Sequence, residues 1–268
     1  MKTNNYQVDV VAILKKKFSW IPKFFFRPLK KFIHQDEFNY FLSHQCADKN
    51  GIQFVDSALI DCLHIPPENI TVVWADGLPK DGEKYTFVCN HPLGGLDELI
   101  TLRFLSEYYP NVKILLNDFL DKLPNLADYS AASDKLDLYS SDDHLIVFPE
   151  NISSGIDGGL IQDVKWDSTF YTESLKNERG IVPIYFRGYN SYYYYRLFNF
   201  LKKLRKGKLA KWLLPREILK SKGKKYTIVI GEPIPYNRLL FLSKIYSMDN
   251  AVYLIKKMVY TLDRGGLH

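Results

Sequence analysis

A histidine and an aspartate stand six positions apart in "NHPLGGLD", residues 90–97, directly after the apolar run Tyr85–Cys89. Six positions of a continuous α-helix turn through about 600°, so the two side chains would point about 120° apart. Pro92 and the glycine pair after it favour a turn instead, because proline sets an extended neighbour and glycine permits a left-handed backbone. We therefore predict that the chain loops at the end of a strand, begins a helix, and folds Asp97 back toward His91.

Such a pair would act as a base. A carboxylate on one ring nitrogen fixes the tautomer of the imidazole and stabilises its charged form, so that the other nitrogen can remove a proton from a hydroxyl or an amine. The amides at the start of the helix would favour an anion, such as a developing oxyanion or a phosphate. The alternative is a histidine that is satisfied by a local turn and has no chemical role.

Short β-rich runs alternate with helical stretches around this loop. The predicted strands are 71–74, 85–89, 112–116, 145–148, 181–186 and 226–230. The predicted helices are 96–109, 166–176, 193–205 and 250–263. This alternation is typical of an α/β fold with a mostly parallel, mixed sheet flanked by helices, in which ligands bind at the carboxyl ends of the strands. We expect an N-terminal helical portion, residues 1–65, with a break near 48–51, and an α/β domain, residues 66–268, that form one structural unit.

Length, composition and charge exclude some classes of protein and favour an anionic partner. The chain has 268 residues with 46% hydrophobic content, which excludes a mainly disordered protein and suffices for one large core. A net charge of +6 favours an anionic partner. We find no docking motif of a nucleic-acid reader, so nucleic acid is not among the predicted partners. The three cysteines lack the spacing of a metal site or a disulfide framework, which fits a reducing compartment.

The N-terminal stretch "KKKFSWIPKFFFRPLKKF", residues 15–32, mixes cations with aromatic residues and contains no acid. It is too often interrupted by lysine to be a transmembrane segment, and no cleavable signal is evident. Aromatic rings at the headgroup level and cations near anionic lipid make an interfacial anchor, which is our prediction for this segment. The alternative is a helix that packs on the domain. A second basic stretch, residues 201–225, also has Trp212 and leucines between its charges, and its alternative is a solvated helix face and loop.

Three motifs in order carry a resemblance to a known family. They are "FVCNHPLGGLD", "LIVFPENISSG" with its Phe148–Pro149–Glu150, and "GIVPIYFRGYNS" with its Val182–Pro183. Together they resemble the glycerolipid acyltransferase superfamily over roughly residues 80–235. The chain is most similar to the branch of bacterial hemolysin-like and ornithine-lipid or amino-acid N-acyltransferases, which has five residues between the histidine and the aspartate. It departs from that branch at Glu98, where glycine is usual. It departs from the superfamily after Glu150, where a glycine and an arginine usually follow, and in residues 117–135, where the second, arginine-bearing motif is not recognisable.

The resemblance implies transfer of a fatty-acyl group from acyl carrier protein or acyl coenzyme A to an acceptor at an anionic membrane surface. It implies His91 as general base and Asp97 as its orienting partner, and no metal or resident cofactor. The predicted substrate-binding residues are Asn90, Gly94, Gly95, Glu150, Asn151, Arg187 and Asn190.

The acceptor predicted here is an amine in bacterial amino-acid lipid synthesis, because acids rather than arginines surround the motifs. The alternatives are O-acylation of a lysophospholipid or glycerol phosphate, and a catalytically silent lipid-binding module. The predicted location is the cytoplasmic face of the plasma membrane, with peripheral attachment.

Overall fold

The structure is a computed structural model that describes Lys15 and residues 26–46, 48–74, 83–116, 120–130, 136–150, 154–157, 160–163, 165–204 and 207–265. The strands are β1 Ile70–Trp74, β2 Tyr85–Cys89, β3 Val112–Leu115, β4 His144–Val147, β5 Gly155–Asp157, β6 Leu160–Gln162, β7 Gly180–Arg187 and β8 Tyr226–Ile230. The helices are α1 Phe26–Phe32, α2 Gln35–Tyr40, α3 Gly51–Asp56, α4 Leu96–Tyr108, α5 Asp137–Ser140, α6 Thr169–Lys176, α7 Tyr192–Lys203, α8 Leu214–Leu219, α9 Tyr236–Ile245 and α10 Met248–Gly265. Single π-helical turns extend α2 over Phe41–Gln45 and α3 over Ser57–Cys62.

Six of the described strands form one sheet in the order β1-β8-β7-β2-β4-β3. β2 pairs in parallel with both β4 and β7, and β1 pairs in parallel with β8. β7 and β8 pair antiparallel. The predicted α/β class with a mostly parallel, mixed sheet is confirmed, and each predicted strand is found within two residues of its predicted limits. The short hairpin β5–β6 and helix α9 were not predicted.

The side chains of the central strands alternate between two cores, as a pleated sheet covered on both faces requires. Along β2, Phe87 and Cys89 belong to the larger core and Val88 to the smaller one. The N-terminal helices contribute Ile33, Phe38 and Phe54 to the larger core. Residues of α6, α9 and α10 fill the smaller core. No helix in the described part of the chain has both the length and the apolar character needed to cross a bilayer.

Candidate active site

The loop that follows β2 brings His91 and Asp97 together at the carboxyl end of the parallel strands. Gly94 has a φ of 76°, a left-handed conformation that suits glycine, and α4 begins at Leu96. The Nδ1 of His91 lies 3.2 Å from Oδ2 of Asp97, and both side chains are buried. The two side chains are therefore in direct contact. The contact is an ion pair rather than a well-aligned hydrogen bond.

The loop itself fixes the Asp97 carboxylate. The backbone N–H of Leu93 donates to Oδ2 at 2.9 Å, and that of Gly95 donates to Oδ1 at 2.9 Å. Burial alone would raise the pKa of Asp97, but the His91 ring and these two amides outweigh it and hold the pKa below its usual range. Asp97 is therefore an ionised carboxylate whose direction is set by the residues between it and His91.

A second carboxylate faces the other ring nitrogen. Oε1 of Glu98 lies 3.5 Å from Nε2 of His91, and the Glu98 side chain is 1% exposed. The ring of Phe148 covers the imidazole at a centroid distance of 4.9 Å. Glu98, Phe148 and Glu150 line one cavity of about 220 Å³, which also borders Asp167. The Nε2 side of His91 is therefore the side that faces a space for a ligand, and Glu98 stands between the two.

These carboxylates change the proton affinity of the ring. Burial alone would lower the pKa of His91, but Asp97, Glu98 and Asp163 together outweigh it and raise the pKa to about 9. The imidazole is therefore charged at neutral pH in this arrangement, and it must lose a proton before it can act as a base.

Asp163 is a site residue that the sequence did not reveal. Its Oδ1 accepts the backbone N–H of His91 at 3.3 Å and the hydroxyl of Ser154. Its Oδ2 accepts Nε1–H of Trp166 at 2.7 Å, and its own N–H donates to the hydroxyl of Tyr260 at 2.7 Å. Asp163, directly after β6, thus joins the segment before α6 and helix α10 to the backbone of His91. The only signal in the sequence is its place three positions before Trp166.

Asn90 and Asn190 hold the loop rather than facing the cavity. Nδ2 of Asn90 donates to the carbonyl of Phe186 at 3.0 Å, and its Oδ1 accepts the Phe186 N–H at 2.6 Å. Nδ2 of Asn190 donates to the carbonyls of Pro92 and Leu93 at 3.2 and 3.3 Å. Both amides are therefore engaged with backbone, and a direct contact of either residue with substrate stays a prediction.

Three predicted substrate-binding residues remain: Glu150, Arg187 and Asn151. Oε2 of Glu150 accepts the N–H of Lys165 at 2.8 Å at the wall of the cavity. The guanidinium of Arg187 is not brought to His91: its Nε pairs with Asp263 of α10 at 2.9 Å. Asn151 lies outside the described residues. Among the residues that the structure does describe, no cluster of three or more histidine, cysteine or acidic side chains has the arrangement of a metal site.

Comparison with known proteins gives a family match and two similar relatives. The model of the acyltransferase family matches residues 13–266. The chain is 34% identical over 275 residues to a lyso-glycine lipid O-acyltransferase of Phocaeicola vulgatus, covering 96% of this chain and 95% of that protein. It is 36% identical over 249 residues to a lyso-glycine lipid O-acyltransferase of Bacteroides thetaiotaomicron, covering 86% of this chain and 89% of that protein.

Among solved structures, the crystal structure of the 1-acyl-sn-glycerophosphate (LPA) acyltransferase PlsC from Thermotoga maritima matches with a TM-score of 0.44 and 16% identity, over 96% of this chain and 98% of that chain. The resemblance to glycerolipid acyltransferases that the three motifs carry is confirmed by the family model and the two relatives. The chain belongs to the acyltransferase family and is an acyltransferase of lipid synthesis.

Proposed function

We propose that this enzyme transfers a fatty-acyl group from an acyl thioester, carried by acyl carrier protein or coenzyme A, to the hydroxyl of a lyso-amino-acid lipid such as lyso-glycine lipid. The observation that carries the proposal is the buried His91–Asp97 pair, beside which Glu98 and Phe148 line a cavity. The two relatives of 34% and 36% identity, both named as lyso-glycine lipid O-acyltransferases, support a hydroxyl as the acceptor. The reaction takes place at the cytoplasmic face of a bacterial membrane, where both substrates are available.

The chemistry needs no protein nucleophile. The acceptor hydroxyl gives its proton to Nε2 of the neutral His91 ring while its oxygen attacks the thioester carbonyl carbon. The tetrahedral intermediate collapses, the carbon–sulfur bond breaks, and the leaving sulfur takes the proton back from the imidazolium. Asp97 keeps Nδ1 protonated and directed throughout. The acceptor must occupy the position that Oε1 of Glu98 holds, 3.5 Å from Nε2, so its binding moves this carboxylate aside.

An amine acceptor is the second candidate, and the lining of the cavity favours it. Glu98, Glu150 and Asp167 surround the space beside His91, and such acids suit an ammonium group better than a phosphate ester. The two arginines nearest to the motifs have other partners: Arg187 pairs with Asp263, and Arg179 donates to backbone carbonyls such as that of Ser141. Glycerol phosphate and lysophosphatidic acid are therefore the least favoured acceptors.

The test is a competition among acceptors with one labelled acyl donor. Purified protein is given labelled acyl carrier protein or acyl coenzyme A together with lyso-glycine lipid, its analogue without the hydroxyl, glycine, ornithine, glycerol 3-phosphate and lysophosphatidic acid. We expect an ester product from lyso-glycine lipid, recognised because mild alkali cleaves esters and leaves amides intact. No product should form from the analogue, or with His91→Ala.

Three outcomes would overturn the proposal. An alkali-resistant product from an amino acid would favour N-acylation. A product from either phosphate ester would favour the phospholipid alternative. Binding of lipid without any product would favour a silent lipid-binding module.

A further inference from the structure

Helix α7 exposes one continuous face of aromatic and basic side chains. The residues on this face are Tyr192, Tyr193, Arg196, Phe200, Lys203 and the following Leu204. At about 100° per residue, counted from Tyr192, all six positions fall within about 120° of the helix circumference. Tyr192 is 70% exposed and Phe200 is 59% exposed, and α7 contains no acidic residue. The core-facing side of the helix is separate and consists of Tyr194, Tyr195 and Phe198.

The exposed face borders Phe32 and Arg216 on neighbouring segments, and Arg216, whose side chain is 13% exposed, also pairs with Glu217 at 3.1 Å. The guanidinium of Arg216 in α8 lies 4.4 Å from the ring centre of Phe32 and 5.2 Å from that of Tyr193. Phe32 and Tyr193 also meet edge to face at 5.8 Å. Phe32 ends the basic aromatic segment 15–32, of which residues 16–25 lie outside the described part. We call the six residues of α7 with Phe32 and Arg216 the aromatic–basic face.

This face lies at the same edge of the sheet as the candidate active site. α7 begins at Tyr192, two residues after Asn190, whose side chain donates to the carbonyls of Pro92 and Leu93. Further along the helix, Asn199 donates to the carbonyl of Ile156 in the hairpin β5–β6 at 3.2 Å. The N–H of Ser154, just before that hairpin, donates to the carbonyl of His91 at 2.8 Å. The helix is thus tied at two points to the loop that carries His91.

We propose that the aromatic–basic face binds the surface of an anionic bilayer and so holds the active-site edge against the membrane that contains the lipid acceptor. Exposed tyrosine and phenylalanine rings are stable at the level of the headgroups, and arginine and lysine next to them attract anionic lipid. The proposal rests on the proposed function only in that the acceptor is a lipid.

A second exposed apolar region lies elsewhere and provides the matched control. The α9–α10 turn, taken here with the end of α9 and the start of α10, exposes Phe241, Ile245, Tyr246 and Met248. Met248 begins α10, and Tyr260 of the same helix bonds to Asp163 at the site, so the two ends are about 18 Å apart along the helix axis. Substitution of Phe241 and Tyr246 removes two exposed aromatic rings, as the α7 substitutions do, but leaves the aromatic–basic face intact.

Vesicle sedimentation with the full chain tests the proposal without any need for turnover. We would compare binding of the unaltered protein to vesicles of phosphatidylglycerol with phosphatidylcholine and to vesicles of phosphatidylcholine alone. The variants are Arg196→Glu with Lys203→Glu, Tyr192→Ser with Phe200→Ser, and the control Phe241→Ser with Tyr246→Ser. We expect the charge-reversed variant to lose at least about tenfold in affinity for anionic vesicles and the α7 aromatic variant to lose several-fold. The control should bind like the unaltered protein.

Thermal unfolding of each variant verifies that these exposed substitutions leave the fold intact. Transfer to an acceptor dispersed in detergent should be unchanged in both α7 variants. Failure of acyl transfer in the unaltered protein would concern the proposed function and leave the binding result valid.

The proposal is overturned if both α7 variants bind anionic vesicles as well as the unaltered protein. It is also overturned if the control variant alone loses binding, which would place the membrane contact at the α9–α10 turn. A charge-reversed variant that keeps vesicle binding but no longer binds acyl carrier protein would make this face a protein docking site instead.

Discussion

The two sides of the His91 ring are built differently. On the Nδ1 side, Asp97 is completely buried and receives backbone N–H groups from the loop that it closes. On the Nε2 side, Glu98 lies at 3.5 Å and forms part of a cavity wall. The first carboxylate is fixed by its immediate neighbours in the chain, whereas the second stands where a ligand would enter. From this difference we propose that Asp97 orients the ring and that Glu98 controls when Nε2 is available to a substrate.

Removing the ring itself should have the largest effect. His91→Ala removes both ring nitrogens. We therefore expect kcat/KM for acyl transfer to fall by about ten-thousandfold, the upper end of a general-base contribution. His91→Gln, which fills more of the buried space, serves as a second variant. Circular dichroism and thermal unfolding check that both are folded. Turnover within about tenfold of the native rate in either folded variant would contradict the role of His91.

Removing the Asp97 carboxylate on the Nδ1 side should reduce kcat/KM less than removing the ring. Asp97→Asn keeps the shape but replaces one oxygen with a donor, which opposes the N–H of Leu93 or that of Gly95. We expect kcat/KM to fall by about a hundred- to a thousandfold because the ring loses both its orientation and its compensating charge. Steady-state kinetics at several pH values measures this. An unchanged kcat/KM would mean that the pair is only a structural contact.

Asp163 tests whether the backbone of His91 needs support from outside its own loop. In Asp163→Asn the amide cannot accept from His91, Ser154 and Trp166 together. We expect activity to fall by about tenfold and the pKa of His91 to decrease, because a negative charge near the ring is lost. Ser154→Ala removes one of the three donors and should have a smaller effect. A loss of thermal stability with an unchanged pH profile would assign Asp163 a structural role only.

The Nε2 side should give the smallest change in rate but the clearest change in pH dependence. The pKa of His91 is raised to about 9, so kcat/KM of the native enzyme should rise with pH toward that value. Glu98→Gln removes one charge that raises this pKa, so we expect its profile to reach a plateau at lower pH and its rate near neutral pH to be several-fold higher. Glu107→Gln, on the same helix and paired with Arg103, is the matched control and should leave the profile unchanged. A lower rate of Glu98→Gln at every pH would instead show that this carboxylate takes part in proton transfer.

Thermal stability should decrease as His91 loses its proton, whereas kcat/KM should increase. The pKa of His91 is about 9 in the fold and about 6.5 in an unfolded chain. The ion pairs of the charged ring therefore contribute their full stabilisation below about pH 6.5 and lose it as the pH rises through about 9. We expect Tm to decline over this window in the native protein and to decline less in Asp97→Asn. Calorimetry across this pH range would reveal the difference, and parallel curves would contradict it.

Features that are local in the chain could be predicted from the sequence. The apolar runs gave the main strands, and Pro92 with Gly94 indicated the turn that places Asp97 beside His91. The hairpin β5–β6 was missed because each strand has three residues, too few for a period to appear. Helix α9 was missed because its run of consecutive leucines and phenylalanine shows little alternation between faces.

Features that depend on distant segments could not be predicted. Asp163 is 72 positions from His91, and its place three positions before Trp166 does not show that it faces the His91 backbone. Substrate binding by Asn90 and Asn190 stays a prediction, but the backbone partners of their amides, at Phe186, Pro92 and Leu93, are distant in the chain and became visible only in the fold. Glu98 was noticed as a departure from the related branch, yet its direction toward Nε2 became visible only in the fold.

The dependence of His91 on distant partners has a consequence for synthesis on the ribosome. The histidine leaves the ribosome well before Asn190, which is 98 positions after Pro92 and closes the same loop. Tyr260, 97 positions after Asp163, is translated later still. Pairings between such distant segments form slowly, so a nascent chain carries the complete His91–Asp97 motif long before the surrounding residues can organise it. An unfinished polypeptide would therefore be unable to acylate lipid. The chain would become active only after the last strand and helices have folded.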